Sequence, residues 1–187
     1  MVSLTENGKK QARENGEWLA NYCREKSIDL SRARIWRSPF LRTRQTCDEF
    51  NKFLKISDIR EDITLIEQQY GLFDALPEED WSKLYPAEYA EYERQRANRG
   101  RFYARLPLGE SPFDVAIRVH QFMGTVHRDF EKHGMDTLFI FTHGTTIRTF
   151  VMRWFHYSPE WYDEDRNPKN CWIREIENGK DLGYINS

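Results

Sequence analysis

Residues 137–148 read TLFIFTHGTTIR. TLFIFT is a continuous apolar run rich in aromatic and β-branched side chains, the pattern of a short strand buried on both faces of a parallel sheet. Beyond it the period changes, and Ile147, Phe150, Val151 and Trp154 are spaced to line one face of a helix. His143 therefore falls between a strand and a helix, with Thr145 and Thr146 in the first helical turn. In open α/β sheets, ligands collect beyond the carboxyl ends of the strands, so this junction predicts both a fold class and a place for chemistry.

The same arrangement recurs upstream. Ala33 to Trp36 forms a short strand candidate, and Ser38-Pro39 follows it with a residue suited to an N-cap and one suited to the first helical position. The helix they open runs to about Leu54. Ile63 to Ile66 reads as another short buried strand, ending at Glu67, with a turn at Tyr70-Gly71. Thr5-Glu6 opens a helix on which Gly8, Ala12 and Gly16 recur every four residues before Leu19 and Cys23, a small-residue face that predicts close packing against something flat. Ser111-Pro112 opens the clearest helix, lined by Ala116, Val119, Met123, Val126 and Phe130 and ended at His133-Gly134. CWIREI (171–176) and the residues after Asn178-Gly179 read as a hairpin, because Asn-Gly favours a type I′ turn. These elements predict a single domain over 1–187, a three-layer α/β/α sandwich with a mostly parallel sheet, a C-terminal hairpin and a helical insertion at about 72–108.

Composition narrows the function classes. The chain has 187 residues, 39% hydrophobic and 31% charged, enough for a sizeable core and unlike a disordered chain. No apolar run approaches the roughly 18–20 residues of a membrane span, and MVSLTENGKKQ has no signal-like stretch, so a cytoplasmic location is expected. Cys23, Cys47 and Cys171 are far apart and form no Cys-x-x-Cys pair, which argues against a disulfide framework and against structural zinc. The 28 basic and 30 acidic residues leave a formal charge of −2, so neither nucleic acid nor an anionic membrane is an expected partner.

Three predicted strand ends carry polar residues in the same manner: Ser38 with Arg42, Glu67, and His143 with Gly144 and Thr145. Four residues apart, Ser38 and Arg42 would share the first turn of a helix, where backbone N–H groups and the helix dipole favour an anion, and Arg42 adds a fork of donors matched to phosphate oxygens. Taken singly, each residue has a plainer reading as a solvated or hydrogen-bonded structural group. His120, His127, His133 and His156 show no metal-ligand spacing, and no Walker loop, Gly-x-Gly-x-x-Gly or Gly-x-Ser-x-Gly is present. A donor-rich pocket with one carboxylate suits phosphoryl transfer assisted by a general acid. Arg94, Arg96, Arg99, Arg101 and Arg105 read first as a solvated helix face.

Together the motifs resemble the histidine phosphatase superfamily, the phosphoglycerate mutase-like family. LTENGKKQA (4–12), SPFLRTRQT (38–46), EQQYG (67–71), GESPFD (109–114) with Arg118, and THGTTIR (142–148) follow that family's order over nearly the whole chain. RGRFYARLPLGES (99–111) most resembles small phosphatase-like members. The resemblance implies that Arg42 clamps phosphate, Glu67 protonates the leaving group and His143 contacts the phosphoryl group. NPKN (167–170) resembles the family's late loop and brings Asn170 to the site, while Arg99, Arg101 and Arg105 become candidates for selecting an anionic substrate. No cofactor and no metal are implied, and the substrate is a small phosphomonoester.

One departure matters. Family members open on a strand ending in Arg-His-Gly, whose histidine becomes phosphorylated, and no Arg-His-Gly occurs in these 187 residues. The chain is therefore expected to have little or no phosphatase activity by itself. A shortened form of an ordinary enzyme is favoured; a non-catalytic phosphate-binding or scaffold remnant and a mutase-like phosphotransferase are the alternatives. The resemblance places the absent strand beside TLFIFT, so TLFIFT is expected to pair with Arg34 to Arg37 on one side, with its other side open, bridged by a displaced hairpin or filled by a second molecule, an edge through which the chain could self-associate.

Overall fold

The computed structural model describes residues 2–187. The order opens with α1 (Glu6–Glu25), β1 (Ala33–Arg37), α2 (Leu41–Leu54) and β2 (Ile59–Glu61), followed by α3 (Glu78–Leu84), α4 (Pro86–Arg99) and α5 (Pro112–His133). Then come β3 (Thr137–Phe141), α6 (Gly144–Trp154), α7 (Pro159–Glu164), β4 (Arg174–Glu177) and β5 (Lys180–Tyr184). The chain divides into two compact units. One holds residues up to Ile66, Phe122–His143 and those from Pro168 onward; the other holds Glu67–Gln121 and Gly144–Asn167 and contains the whole helical insertion expected at 72–108.

The first unit is built on a parallel sheet in the order β2-β1-β3, with Ala33 opposite Thr137 and Arg37 opposite Phe141. Alternation along β1 sends Ala33 and Ile35 to one face and Arg34 and Trp36 to the other. On the first face, Ala33 and Ile35 join Ala12, Leu19 and Cys23 of α1 and Cys47, Phe50 and Leu54 of α2 in one core. On the second, Arg34 and Trp36 meet the 122–133 part of α5: Asp129 accepts hydrogen bonds from the Arg34 guanidinium and from Trp36 Nε1, and the Phe122 ring lies edge-on to Trp36. The unit is thus α/β/α, as expected.

Thr5 caps α1, its hydroxyl accepting the Gly8 N–H at 3.0 Å. At Gly16 the small-residue face of α1 meets α2, since a Cβ there would lie 2.6 Å from Phe50 Cα. The hairpin forms as expected, with β4 and β5 antiparallel and Asn178 and Gly179 both at positive φ.

Four expectations are corrected. Residues 63–66 are not a strand; Asp62 accepts the backbone N–H and hydroxyl of Thr64 and caps a single 3-10 turn, Ile63 is exposed, and the short strand lies earlier, at β2. β3 is half-buried along its length, because β1 flanks it on one side and, among the described residues, no strand flanks it on the other. The apolar stripe of α5 stops at Val126, with Phe130 41% exposed. On α6 the buried face holds Thr145, Thr146, Arg148, Thr149, Val151 and Met152, while Ile147, Phe150 and Trp154 are half-buried.

The second unit has two small cores. Phe73 stacks on Trp81 with ring centroids 4.5 Å apart, joined by Leu106 and by tyrosines that include Tyr70 and Tyr92. Phe102, Ala116, Met152 and Tyr162 form the other. Among the described residues no helix is long and apolar enough to cross a membrane, and no group of three or more His, Cys, Asp or Glu could hold a metal ion.

Candidate active site

Ser38 and His143 come at the carboxyl ends of adjacent strands, one residue after β1 and two after β3, and the parallel register brings them together. His143 Nε2 lies 2.9 Å from Ser38 Oγ and 3.2 Å from Thr43 Oγ1, and its Nδ1 lies 3.3 Å from Arg42 Nη2. Phe40 fixes the ring plane edge-on, with centroids 5.2 Å apart, and also carries the Arg42 guanidinium 5.0 Å from its centroid. Ser38 is fully buried and His143 8% exposed. A guanidinium can only donate, so the Arg42 contact requires a lone pair on Nδ1; the ring proton then sits on Nε2, where Ser38 or Thr43 accepts it.

Ser38 does not cap α2 or share its first turn with Arg42, because the helix begins at Leu41 with Phe40 at the N-cap. Ser38 is held by His143 instead, and its hydroxyl also accepts the Phe40 N–H at 3.3 Å. Phe40 offers no side-chain cap to α2, and the Thr43 N–H donates to the Phe40 carbonyl at 2.9 Å.

Cys47 lies on α2 close to Arg37. Burial pushes its thiol up to about 11, and the hydrogen bond and charge of Arg37 offset this only in part, so Cys47 is not a thiolate nucleophile at neutral pH. Asn170 is exposed in the same unit and forms no hydrogen bond to Ser38, Arg42 or His143.

The second unit places Glu67, Gly144 and Thr145. Glu67 accepts the N–H of Gln68 at 2.9 Å. Burial pushes the Tyr70 hydroxyl above its usual range and the charge of Glu67 adds to this; Tyr162, also raised by burial, feels both Glu67 and Arg101. Thr145 is buried and donates to Gln68 Oε1 at 3.5 Å. Beside Gly144 stands Asn167, whose Oδ1 would lie 3.0 Å from a Cβ added there. Within NPKN it is thus Asn167, rather than Asn170, that packs on the residue following the histidine.

Of the three candidate arginines, Arg105 is engaged by Asp114 and by the Gly109 carbonyl at the start of α5. Arg99 is exposed in the last turn of α4; Arg101 is exposed in the turn that follows. Sequence reasoning missed Arg148, which is 2% exposed, lies 3.9 Å from the Tyr162 ring centroid, donates to the Tyr162 carbonyl and approaches Asp165. A buried arginine amid threonines on a helix is a signal that periodicity of apolar residues alone passes over.

The site is a strand-end histidine held between two hydroxyls and an arginine on a parallel α/β sheet. The family model of the histidine phosphatase superfamily (branch 1) matches residues 2–186, and the chain belongs to that superfamily. It is 31% identical over 98% of its length to the phosphoglycerate mutase-like proteins AT74 and AT74H of Arabidopsis thaliana, and spans 58% and 66% of their lengths. Over 45% of the chain it is 34% identical to the broad-range acid phosphatase DET1 of Saccharomyces cerevisiae, matching 26% of that protein. Among solved structures, the alpha-ribazole phosphatase of Shigella flexneri superposes with a TM-score of 0.73 at 16% identity, over 98% of this chain and 84% of that one. Bacillus stearothermophilus YhfR gives 0.71 at 17% identity, over 98% and 83%. These structures share the fold.

Proposed function

We propose that the chain carries the phosphoryl-holding machinery of a phosphomonoesterase acting through a phosphohistidine, with a small cytoplasmic phosphomonoester as substrate. Arg42 and His143 hold the phosphoryl oxygens, Glu67 protonates the departing alkoxide, and the nucleophilic histidine is not among these 187 residues. The observation that supports it most is the His143 constellation: Nε2 against Ser38 and Thr43, Nδ1 against Arg42.

Sulfate binding, followed by calorimetry, tests this. Arg42→Ala is expected to weaken it about tenfold or more, the scale of one or two hydrogen bonds from a charged donor. Equal affinity in Arg42→Ala would place the anion site elsewhere. An aryl phosphate assay on the same chain is expected to show little or no turnover; full turnover that depends on His143 would reverse the roles of the missing histidine and His143.

The alternative from another class is a non-catalytic phosphate-ligand protein of this superfamily. The coding sequence upstream of Met1 distinguishes the two: an in-frame Arg-His-Gly supports the enzyme, an immediate stop the binding protein. A mutase-like phosphotransferase is the alternative within the enzyme class, and product analysis with a second acceptor alcohol tests it.

A further inference from the structure

The segments EQQYG and GESPFD, with Arg118, meet in the second unit. Glu110 engages the Gln68–Gln69 segment through every polar group it has. Its N–H donates to the Gln69 carbonyl at 2.8 Å, its carbonyl accepts from Gln68 Nε2 at 2.7 Å, and its carboxylate Oε2 accepts the Gln69 N–H at 2.9 Å. Arg118 holds that carboxylate from the other side, with Nε 3.0 Å from Oε1 and Nη2 3.1 Å from Oε2. Both side chains are largely buried, which strengthens the pair relative to one in water. The Leu72 N–H continues the pairing to the Pro107 carbonyl at 3.0 Å. Only glycine fits at the two crossing points: a Cβ on Gly71 would lie 2.1 Å from Pro107 O, and one on Gly109 would lie 2.4 Å from Gln69 O.

Gln68 is the residue whose N–H reaches Glu67 Oε1. Its side chain is held at both ends, by the Glu110 carbonyl and by the Thr145 hydroxyl. The residue whose N–H meets the Glu67 carboxyl is thereby tied to one more than 40 positions away.

We infer that Glu110, locked by Arg118, is the positioning residue for Glu67, acting through Gln68 and Gln69. This rests on the proposed role of Glu67 as proton donor. A general acid works only when its proton lies within reach of the leaving oxygen, so a carboxyl free to rotate would lose most of its effect even where it remained present. Glu110 touches neither substrate nor reacting atoms in this arrangement; its work is transmitted through one peptide plane.

The backbone amide of Gln68 reports directly on the device. In the ¹⁵N-labelled chain, the Gln68 amide resonance is expected to shift with pH as the Glu67 carboxyl ionises, and Glu67→Gln should abolish that step. Glu110→Ala is expected to reduce its amplitude at least twofold, and Glu110→Gln to restore most of it, since the amide oxygen still accepts the Gln69 N–H. Gln68→Ala, which leaves the Glu110–Arg118 pair intact, should reduce it likewise and serves if Glu110→Ala does not fold. An unchanged amplitude in either folded variant overturns the inference. Adding inorganic phosphate to the same samples tests the functional reading separately: loss of Arg42-dependent binding in the parent chain would sink that reading while leaving the amide result to stand by its own outcome.

Discussion

An Asp129→Ala chain is expected to lose about 3–5 kcal/mol of stability, the scale for removing one partner from a buried ion pair. Asp129 is 1% exposed and lies under β1, where one carboxylate oxygen accepts from Arg34 and the other accepts from Trp36 Nε1 at 2.7 Å. Its removal takes one of the two carboxylates from Arg34, which is 3% exposed and keeps Asp58 at 2.8 Å, and orphans the indole N–H. Asp48→Ala is the control. Asp48 likewise pairs with an arginine, Arg37 at 2.7 Å, but its side chain is 62% exposed, and its loss is expected to cost under about 1 kcal/mol. Urea denaturation of the two variants compares them directly, and equal costs would mean that the Arg34–Asp129 pair is not the fastening between α5 and the sheet.

The other large effect concerns β3. In a parallel ladder the N–H and C=O of one residue point to the same side, and Phe141 O accepts the Ser38 N–H at 2.9 Å on the β1 side. Leu138 and Ile140 therefore direct their backbone groups to the edge that, among the described residues, has no neighbouring strand. An apolar strand with an open edge is a template for another chain. Concentrating the protein is expected to produce dimers and higher species by light scattering. Leu138→Pro, which removes an edge-facing N–H at no cost to the β1 ladder, should raise the concentration at which they appear several-fold. A chain that stays monomeric at millimolar concentration, or a proline variant that associates equally, would show that the β3 edge is not the surface involved.

The strand-to-helix junctions were legible because they are local: TLFIFT followed by His143-Gly144, and Arg37 followed by Ser38, announce themselves through a change of period within ten residues. The hairpin at Asn178-Gly179 was legible for the same reason. Misreadings arose where a side chain chose a partner that the sequence does not show. Residues 63–66 have the composition of a strand, but Asp62 turns them by bonding Thr64. Ser38 has the chemistry of an N-cap, but His143, 105 positions later, takes its hydroxyl. Arg148 and Asp129 went unnoticed because charges on apolar helix faces acquire meaning only with their partners, Tyr162 and Arg34, in place. The resemblance of the motifs put Arg42 and His143 on one list of candidates; the geometry adds the contact between them and the tautomer it requires.

The register of β1 against β3 also sets an order of events in folding. β2 joins β1 after a loop of about 24 residues, Ile35 to Ile59, whereas β3 joins it only across the 104 positions from Ala33 to Thr137. Closing the longer loop costs more chain entropy, and contacts of such separation form late in slow-folding topologies. His143 reaches Ser38 and Arg42 only once that longer loop is closed. An oxyanion bound there would stabilise the closed chain alone, by RT ln(1 + [L]/Kd).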